Sequence, residues 1–320
     1  MLKPLLKWVG GKRQLLPALR RFYPPKFEAY IEPFVGSGAV FFDLWEQGRL
    51  KGRRVELIDS NSDLIGCYET VRDMPDAVAA ELDLLAEAHA GDGRAHYYVV
   101  RDTRFNPLRA ERRSPDGRIA YTPELAAMLI YLNRTGFNGL FRVNASGDFN
   151  VPAGRYDRPR ISDRTRLQQV SEALASPAVT LRWGSFLGAA TAECGDFLYI
   201  DPPYAPLSST SSFTAYTSPR FGLEEQRALQ QMVIGLSRRG CHVLLSNSTA
   251  PAITELYDGN TDAQKAGLRA LRVSARRAVN SKAALRGPVD EYLISNIEAA
   301  SDHAPDVRPE GRTGPGPGGA

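Results

Sequence analysis

A chain of 320 residues with 43% hydrophobic and 24% charged residues is long enough for one large domain or two moderate ones, and its balance excludes a disordered or fibrous protein. No apolar run approaches a membrane span and no apolar leader precedes the first motifs, so a cytoplasmic protein is expected. Three scattered cysteines and four histidines offer neither a disulfide framework nor a metal-ligand pattern, and a net charge of +4 is too small to argue for nucleic acid by itself.

In chain order, a short apolar strand ending near Ile31 and Glu32 runs into Gly36-Ser37-Gly38, and residues 39–45 read as a helix. Glycines at a strand-to-helix junction let the backbone approach a bound cofactor closely. Residues 55–58 read as the next strand, with Asp59 at its end. A carboxylate there can accept hydrogen bonds from the hydroxyls of a ribose, or it can serve as a turn or helix-capping residue. Position 41 is Phe, so the third glycine of a dinucleotide fingerprint is missing, which favours a nucleoside cofactor without a pyrophosphate.

From about 71 to 165 the pattern changes. Helical stretches at 76–88 and 123–132 alternate with loops rich in Arg, Asn, Gly and Pro. Thirteen arginines from Arg101 to Arg166, among them Arg109, Arg118, Arg134, Arg142 and Arg155, crowd this region and predict a DNA-facing patch. Asn138-Gly139 is a tight-turn signal within Phe137–Arg142. Residues 179–182, 197–200 and 242–245 read as later strands, and 268–273 and 292–297 as a terminal hairpin.

The strand at 197–200 ends in Asp201-Pro202-Pro203-Tyr204. Open α/β sheets bind ligands just past strand carboxyl ends. Two prolines stiffen the loop and leave carbonyls as acceptors, Asp201 adds a carboxylate, and Tyr204 adds a flat ring. Together they match an aromatic amine, which offers two N–H donors and a face to stack. An ordinary strand-ending turn is the plainer reading. Past about 300, four prolines and five glycines give a tail expected to be disordered.

Lys7-Trp8-Val9-Gly10-Gly11-Lys12-Arg13, then Pro33–Gly38, Asp59-Ser60-Asn61 and Asp201–Tyr204, in this order, resemble the motifs of the Dam-type (D12 class) DNA N6-adenine methyltransferases. Further blocks agree: Tyr97 to Asn106, Asn133 to Asn144, Phe149 to Tyr156, Phe213 to Tyr216 with Phe221 and Gln226, and Arg276, Asn280 and Arg286 to Glu291 and Asn296. The resemblance spans roughly residues 3–297. It implies an α/β fold: a Rossmann-like, AdoMet-dependent methyltransferase sheet made of 1–70 plus 166–300, with an inserted, mainly helical target-recognition domain at 71–165 and a tail at 301–320.

The same resemblance assigns roles. Trp8, Lys12, Phe34, Gly36, Gly38, Asp59 and Asp201 would bind S-adenosyl-L-methionine, with no metal. Asp201, Pro202, Pro203 and Tyr204 would act on the target adenine, and Phe213 and Tyr216 are candidate pocket walls. Lys7, Asn138, Leu140, Arg142 and Tyr156 match the residues with which GATC-methylating members read their site. Ser185 precedes Phe186 where many relatives carry an acidic residue beside the cofactor adenine. The implied partners are double-stranded DNA and, for a restriction–modification pair, a cognate restriction endonuclease; a monomer in solution and no membrane are expected. A methyltransferase of protein glutamine or RNA would carry Asn in place of Asp201, and a silent DNA-binding relative would have lost Asp201 or the glycine loop.

Overall fold

The computed structural model describes residues 2–8, 10–206, 221–276 and 288–300. Phe213, Tyr216, Asn280, Arg286 and the tail from 301 lie outside the described residues. Seven strands form one mixed sheet: β1 (Tyr30–Glu32), β2 (Val55–Asp59), β3 (Val179–Trp183), β4 (Phe197–Ile200), β5 (His242–Ser248), β6 (Arg269–Arg276) and β7 (Pro288–Ser295). Their order is β3-β2-β1-β4-β5-β7-β6. The first five are parallel, and β7 runs antiparallel between β5 and β6. The expected terminal hairpin is therefore present, its second strand inserted beside β5.

Strand order reverses between β1 and β4, which opens a crevice at their carboxyl ends. The glycine loop follows β1 and Asp201 follows β4, so the topology alone brings these two motifs to one place.

Both faces of the parallel strands are covered, and alternate residues serve opposite faces. Tyr30, Leu57, Phe197, Tyr199 and Leu244 enter one core; Ile31, Ile58, Leu198, Ile200 and Leu245 enter the other, with Leu229 and Val233 of the helix Leu223–Arg238. The first core also takes Val78 and Leu82 of the helix Pro75–His89, Tyr97, Phe105, and the run Leu125–Leu132 of the helix Pro123–Thr135. Residues of the 71–165 stretch thus share a continuous apolar core with one face of the sheet.

Helix starts follow capping chemistry. The Asn61 side chain accepts from the amides of Asp63 and Leu64, the Thr122 hydroxyl from Leu125, and the Asp163 carboxylate from Arg166. Such caps are each worth about 1 kcal/mol. The helix Gly93–Val99 continues through one π-helical segment, Val100–Phe105, into Asn106–Glu111. From it the buried Arg109 reaches back to Asp63 of the helix Ser62–Asp73, donating from Nε at 2.6 Å and from a terminal nitrogen at 2.8 Å. The Tyr121 hydroxyl joins the same carboxylate at 2.9 Å, and Arg109 also donates to the carbonyl of Gly147.

Candidate active site

Gly36 and Gly38 take φ of +47° and +66°, a left-handed conformation that suits glycine. A Cβ on Gly36 would stand 3.0 Å from Cδ1 of Trp8, so the indole lies directly on the loop backbone. The loop is fixed from both sides. Tyr68 donates its hydroxyl to the Gly36 carbonyl at 3.0 Å, and the Gly36 amide donates to Asp59 Oδ2 at 3.1 Å.

Asp59 ends β2 but does not cap the helix behind it; Asn61 does. The carboxylate accepts instead from the amides of Gly36 and, at 2.9 Å, Asn61. Burial pushes its pKa up to about 6 against the pull of these amides. The Ser60 amide bears on the same carboxylate; with about four lone-pair positions, acceptor capacity still remains.

Asp201 stands one residue beyond β4. Ile200 pairs with Leu245, which sets Asp201 level with Ser246, and Ser246 Oγ donates to Asp201 Oδ1 at 2.9 Å. Lys12 Nζ lies 2.8 Å from the same oxygen and donates to the Gly10 carbonyl at 2.8 Å. Its ammonium sits 4.6 Å from the centre of the Tyr204 ring. The Lys12 side chain is only 7% exposed and that of Asp201 20% exposed, so the ion pair is sheltered. Burial raises the Asp201 pKa, and the Lys12 charge and the two hydrogen bonds oppose that rise.

The loop 201–205 is held by the end of β5. Ser246, Asn247 and Ser248 are buried although polar. Ser246 takes Asp201. Asn247 donates to Gln226 Oε1 at 3.1 Å, and Gln226 donates to the Pro203 carbonyl at 2.9 Å. Ser248 donates to the Ala205 carbonyl at 2.7 Å. From β7, Glu291 accepts the Tyr204 hydroxyl at 2.9 Å.

Trp8, Lys12, Glu32, Phe34, Gly36 and Asp201 share the wall of one small cavity at the β1–β4 crevice. Gly38 lies beside it against the Phe42 ring. Phe34 stacks on Phe186 with ring centres 5.3 Å apart, and Phe221 packs edge-on against Phe34 at 5.5 Å. Ser185 accepts from the Leu187 amide at 3.3 Å, a local turn contact. Sequence reading passed over Ser246 and Asn247 altogether and gave Glu32, Gln226 and Glu291 no role. Glu32 ends β1, takes a 2.7 Å bond from the Tyr30 hydroxyl, and has its pKa raised by burial. A polar run continuing a buried strand, as in Ser246-Asn247-Ser248, was the signal available.

The second group of expected residues gathers on one adjoining surface. Asn133 clamps Lys7: its Oδ1 accepts the Lys7 amide at 2.8 Å, and its Nδ2 donates to the carbonyls of Lys7 and Gly139 at 2.7 and 3.0 Å. Lys7 Nζ lies 4.5 Å over the Tyr156 ring. Asn138 and Gly139 both have positive φ, +55° and +65°, and the Leu140 amide closes on the Phe137 carbonyl at 3.2 Å, forming a type I′ turn with Asn138 at its exposed tip. Leu140 is half-buried. The Arg142 guanidinium is directed onto Asn150, at 2.6 Å to Oδ1 and 3.1 Å to the carbonyl.

Arg101, Arg104, Arg118, Arg160, Arg164 and Arg166 face carboxylates, while Arg109 and Arg134 are buried. Arg112, Arg113, Arg155 and Arg158 are exposed. Among the described residues no cluster of His, Cys, Asp or Glu is arranged to hold a metal, and no helix is long and apolar enough to cross a membrane.

Comparison with known proteins places these motifs in a family. The chain is 38% identical over 299 residues to the type II methyltransferase M1.LlaDCHI of Lactococcus lactis subsp. cremoris, covering 92% of this chain and 95% of that protein. It is 36% identical over 306 residues to the type II methyltransferase M.MjaIII of Methanocaldococcus jannaschii, covering 92% and 99%. With the DNA adenine methylase of Escherichia coli K12 it shares 36% identity over 293 residues, covering 91% and 94%. The family model for D12 class N6 adenine-specific DNA methyltransferases matches residues 8–278, which begin at the Trp8 that lies on the glycine loop, and the chain belongs to that family.

Proposed function

We propose that this protein transfers a methyl group from S-adenosyl-L-methionine to N6 of adenine in duplex DNA, within GATC, after the base has been turned out of the helix. The observation that carries this reading is the Asp201 carboxylate, held through Oδ1 by Lys12 and Ser246 on the wall of the cavity that Trp8 and Gly36 also line. The residues present suit the donor. The side-chain-free backbone at Gly36 and the Trp8 indole form a flat apolar wall, Asp59 keeps acceptor capacity for ribose hydroxyls, and Lys12 is the cation available to a carboxylate. When bound, the donor supplies an electrophilic methyl on a sulfonium.

The chain's own residues prepare the acceptor. Adenine N6 is a weak nucleophile because its lone pair is delocalised into the ring. Both known contacts of Asp201 fall on Oδ1, which favours Oδ2 as acceptor for one N6–H, with the Pro202 carbonyl taking the other. That draws the nitrogen toward tetrahedral geometry and frees the lone pair for in-line attack. Charge-assisted acceptors are roughly twice as strong as neutral ones and lie where positive charge develops. N6 sits inside the duplex, so the base must be extruded, and Tyr204, tethered by Glu291, offers it a ring face. Residues 71–165 serve as the recognition region. Lys7, Asn138, Leu140, Arg142 and Tyr156 match the GATC-reading pattern, in which Arg suits guanine and an apolar side chain the thymine methyl.

The test is to incubate the full chain with tritiated S-adenosyl-L-methionine and duplex DNA free of adenine methylation, digest to nucleosides, and map modified positions by sequencing. N6-methyladenine confined to GATC is the expected result. Label in another nucleoside, in RNA or in protein overturns the reading, and N6-methyladenine at another sequence overturns the GATC assignment.

A further inference from the structure

The cavity and the Asn138–Gly139 turn meet through one pair of rings. Trp8, whose indole lies on Gly36, stacks on Phe141 with ring centres 5.7 Å apart and planes 22° from parallel. Phe141 stands between Leu140 and Arg142. Its ring leans on Phe149 at 5.7 Å, and Phe149 packs edge-on against Phe105 at 5.7 Å. One residue before Trp8, Lys7 is fastened through Asn133 to the Gly139 carbonyl, and it covers Tyr156. A Cβ on Gly139 would stand 2.4 Å from Lys7 Cβ, so the turn lies directly against the Lys7 side chain. Neighbouring residues, Lys7 and Trp8, thus both rest on the segment 137–142. Close-packed rings re-seat together rather than yield gradually, so a turn reseated on DNA must carry the indole with it.

We propose that Phe141 is a positioning residue that couples occupancy of the Trp8 cavity to recognition of the DNA site. This rests on the function proposed above: a methyl donor at Trp8 and DNA at the Asn138–Gly139 turn. Any such coupling is reciprocal, so DNA carrying the correct site tightens donor binding by the factor by which the donor tightens DNA. A Phe141 that merely filled space would, when replaced, weaken either ligand without changing that factor.

The experiment titrates S-adenosylhomocysteine, which cannot react, into the full chain by calorimetry: alone, with saturating duplex carrying the methylated sequence, and with a scrambled duplex. The site-bearing duplex is expected to tighten binding by about five-fold or more, the lower end of typical couplings, and the scrambled duplex by less than about two-fold. Phe141→Leu should bring the two duplexes to the same value, and Phe141→Tyr, which keeps the ring, should restore the difference. Phe141→Met, which fills irregular space, replaces the Leu variant if that one does not fold. A wild-type difference retained in Phe141→Leu, or absent from the wild type, overturns the inference alone. Failure of S-adenosylhomocysteine to bind under any condition overturns the functional reading and the inference with it.

Discussion

Asp201 combines a fixed position with remaining acceptor capacity, because a lysine and a serine hold it by one oxygen. In the function proposed above, replacing it by alanine takes the carboxylate away from the reacting amine without touching the Asn138–Gly139 turn. By analogy with deleted oxyanion-hole donors, methyl transfer should fall by about two to three orders of magnitude, while DNA affinity stays within a few fold in a filter-binding assay. Turnover near that of the wild type would refute the role. Asp59 gives a pH prediction whose sign is fixed by its environment. Burial lifts its pKa to about 6, so it is an acceptor above that pH and a neutral acid below it. Donor affinity should therefore weaken as pH falls through about 6, and Asp59→Asn should flatten that dependence; a wild-type affinity unchanged across this range would contradict the assignment.

At the level of elements, β5 acts as a clamp as well as a strand. Its last three residues hold the 201–205 loop at Asp201, at Pro203 through Gln226, and at Ala205. Ser246→Ala removes one hydrogen bond to a charged acceptor, worth about 1.5–3 kcal/mol, and should lower kcat roughly ten-fold or more with little change in DNA affinity. An unaltered kcat would show that Lys12 alone suffices. This clamp also marks where sequence reading stopped. Strand periodicity and glycine placement located β1, β2, β4 and the loops that follow them, because those signals are local. The Asp201–Tyr204 and Asn138–Gly139 turns were legible for the same reason. Ser246 and Glu291 act through side chains that meet the loop because β5 lies beside β4 and β7 beside β5, and Gln226 because the helix Leu223–Arg238 brings it to Asn247 and Pro203; no local pattern encodes such adjacency. The arginine count is a signal of another kind: it gives the number of charges in the 101–166 stretch but not the carboxylates that six of them face.

At the scale of the whole molecule, the 71–165 helices join one face of the sheet through shared apolar core, and a buried ion pair ties them to the helix Ser62–Asp73. Arg109 and Asp63 side chains are 7% and 4% exposed, and Arg109 also holds Gly147, on the far side of the turn-bearing segment. Removing one partner of such a pair strands the other charge, so Arg109→Met should cost about 3–5 kcal/mol. Because the core is shared, unfolding followed by Trp fluorescence and by far-ultraviolet dichroism should remain a single coincident transition; two separated transitions would mean that the insertion folds independently.

The site is stitched together from distant parts of the chain, Lys7 meeting Asn133 across 126 positions and Tyr204 meeting Glu291 across 87. Ribosomes add about 5–20 residues each second, so a nascent polypeptide that has already exposed Tyr204 waits several seconds for β7 to supply Glu291. A fragment ending after β5 would display nearly every recognisable motif and still be inert, its loop lacking the last tether. Stalling translation there and assaying the arrested chains for methyl transfer would reveal whether the enzyme stays silent until its synthesis is almost finished.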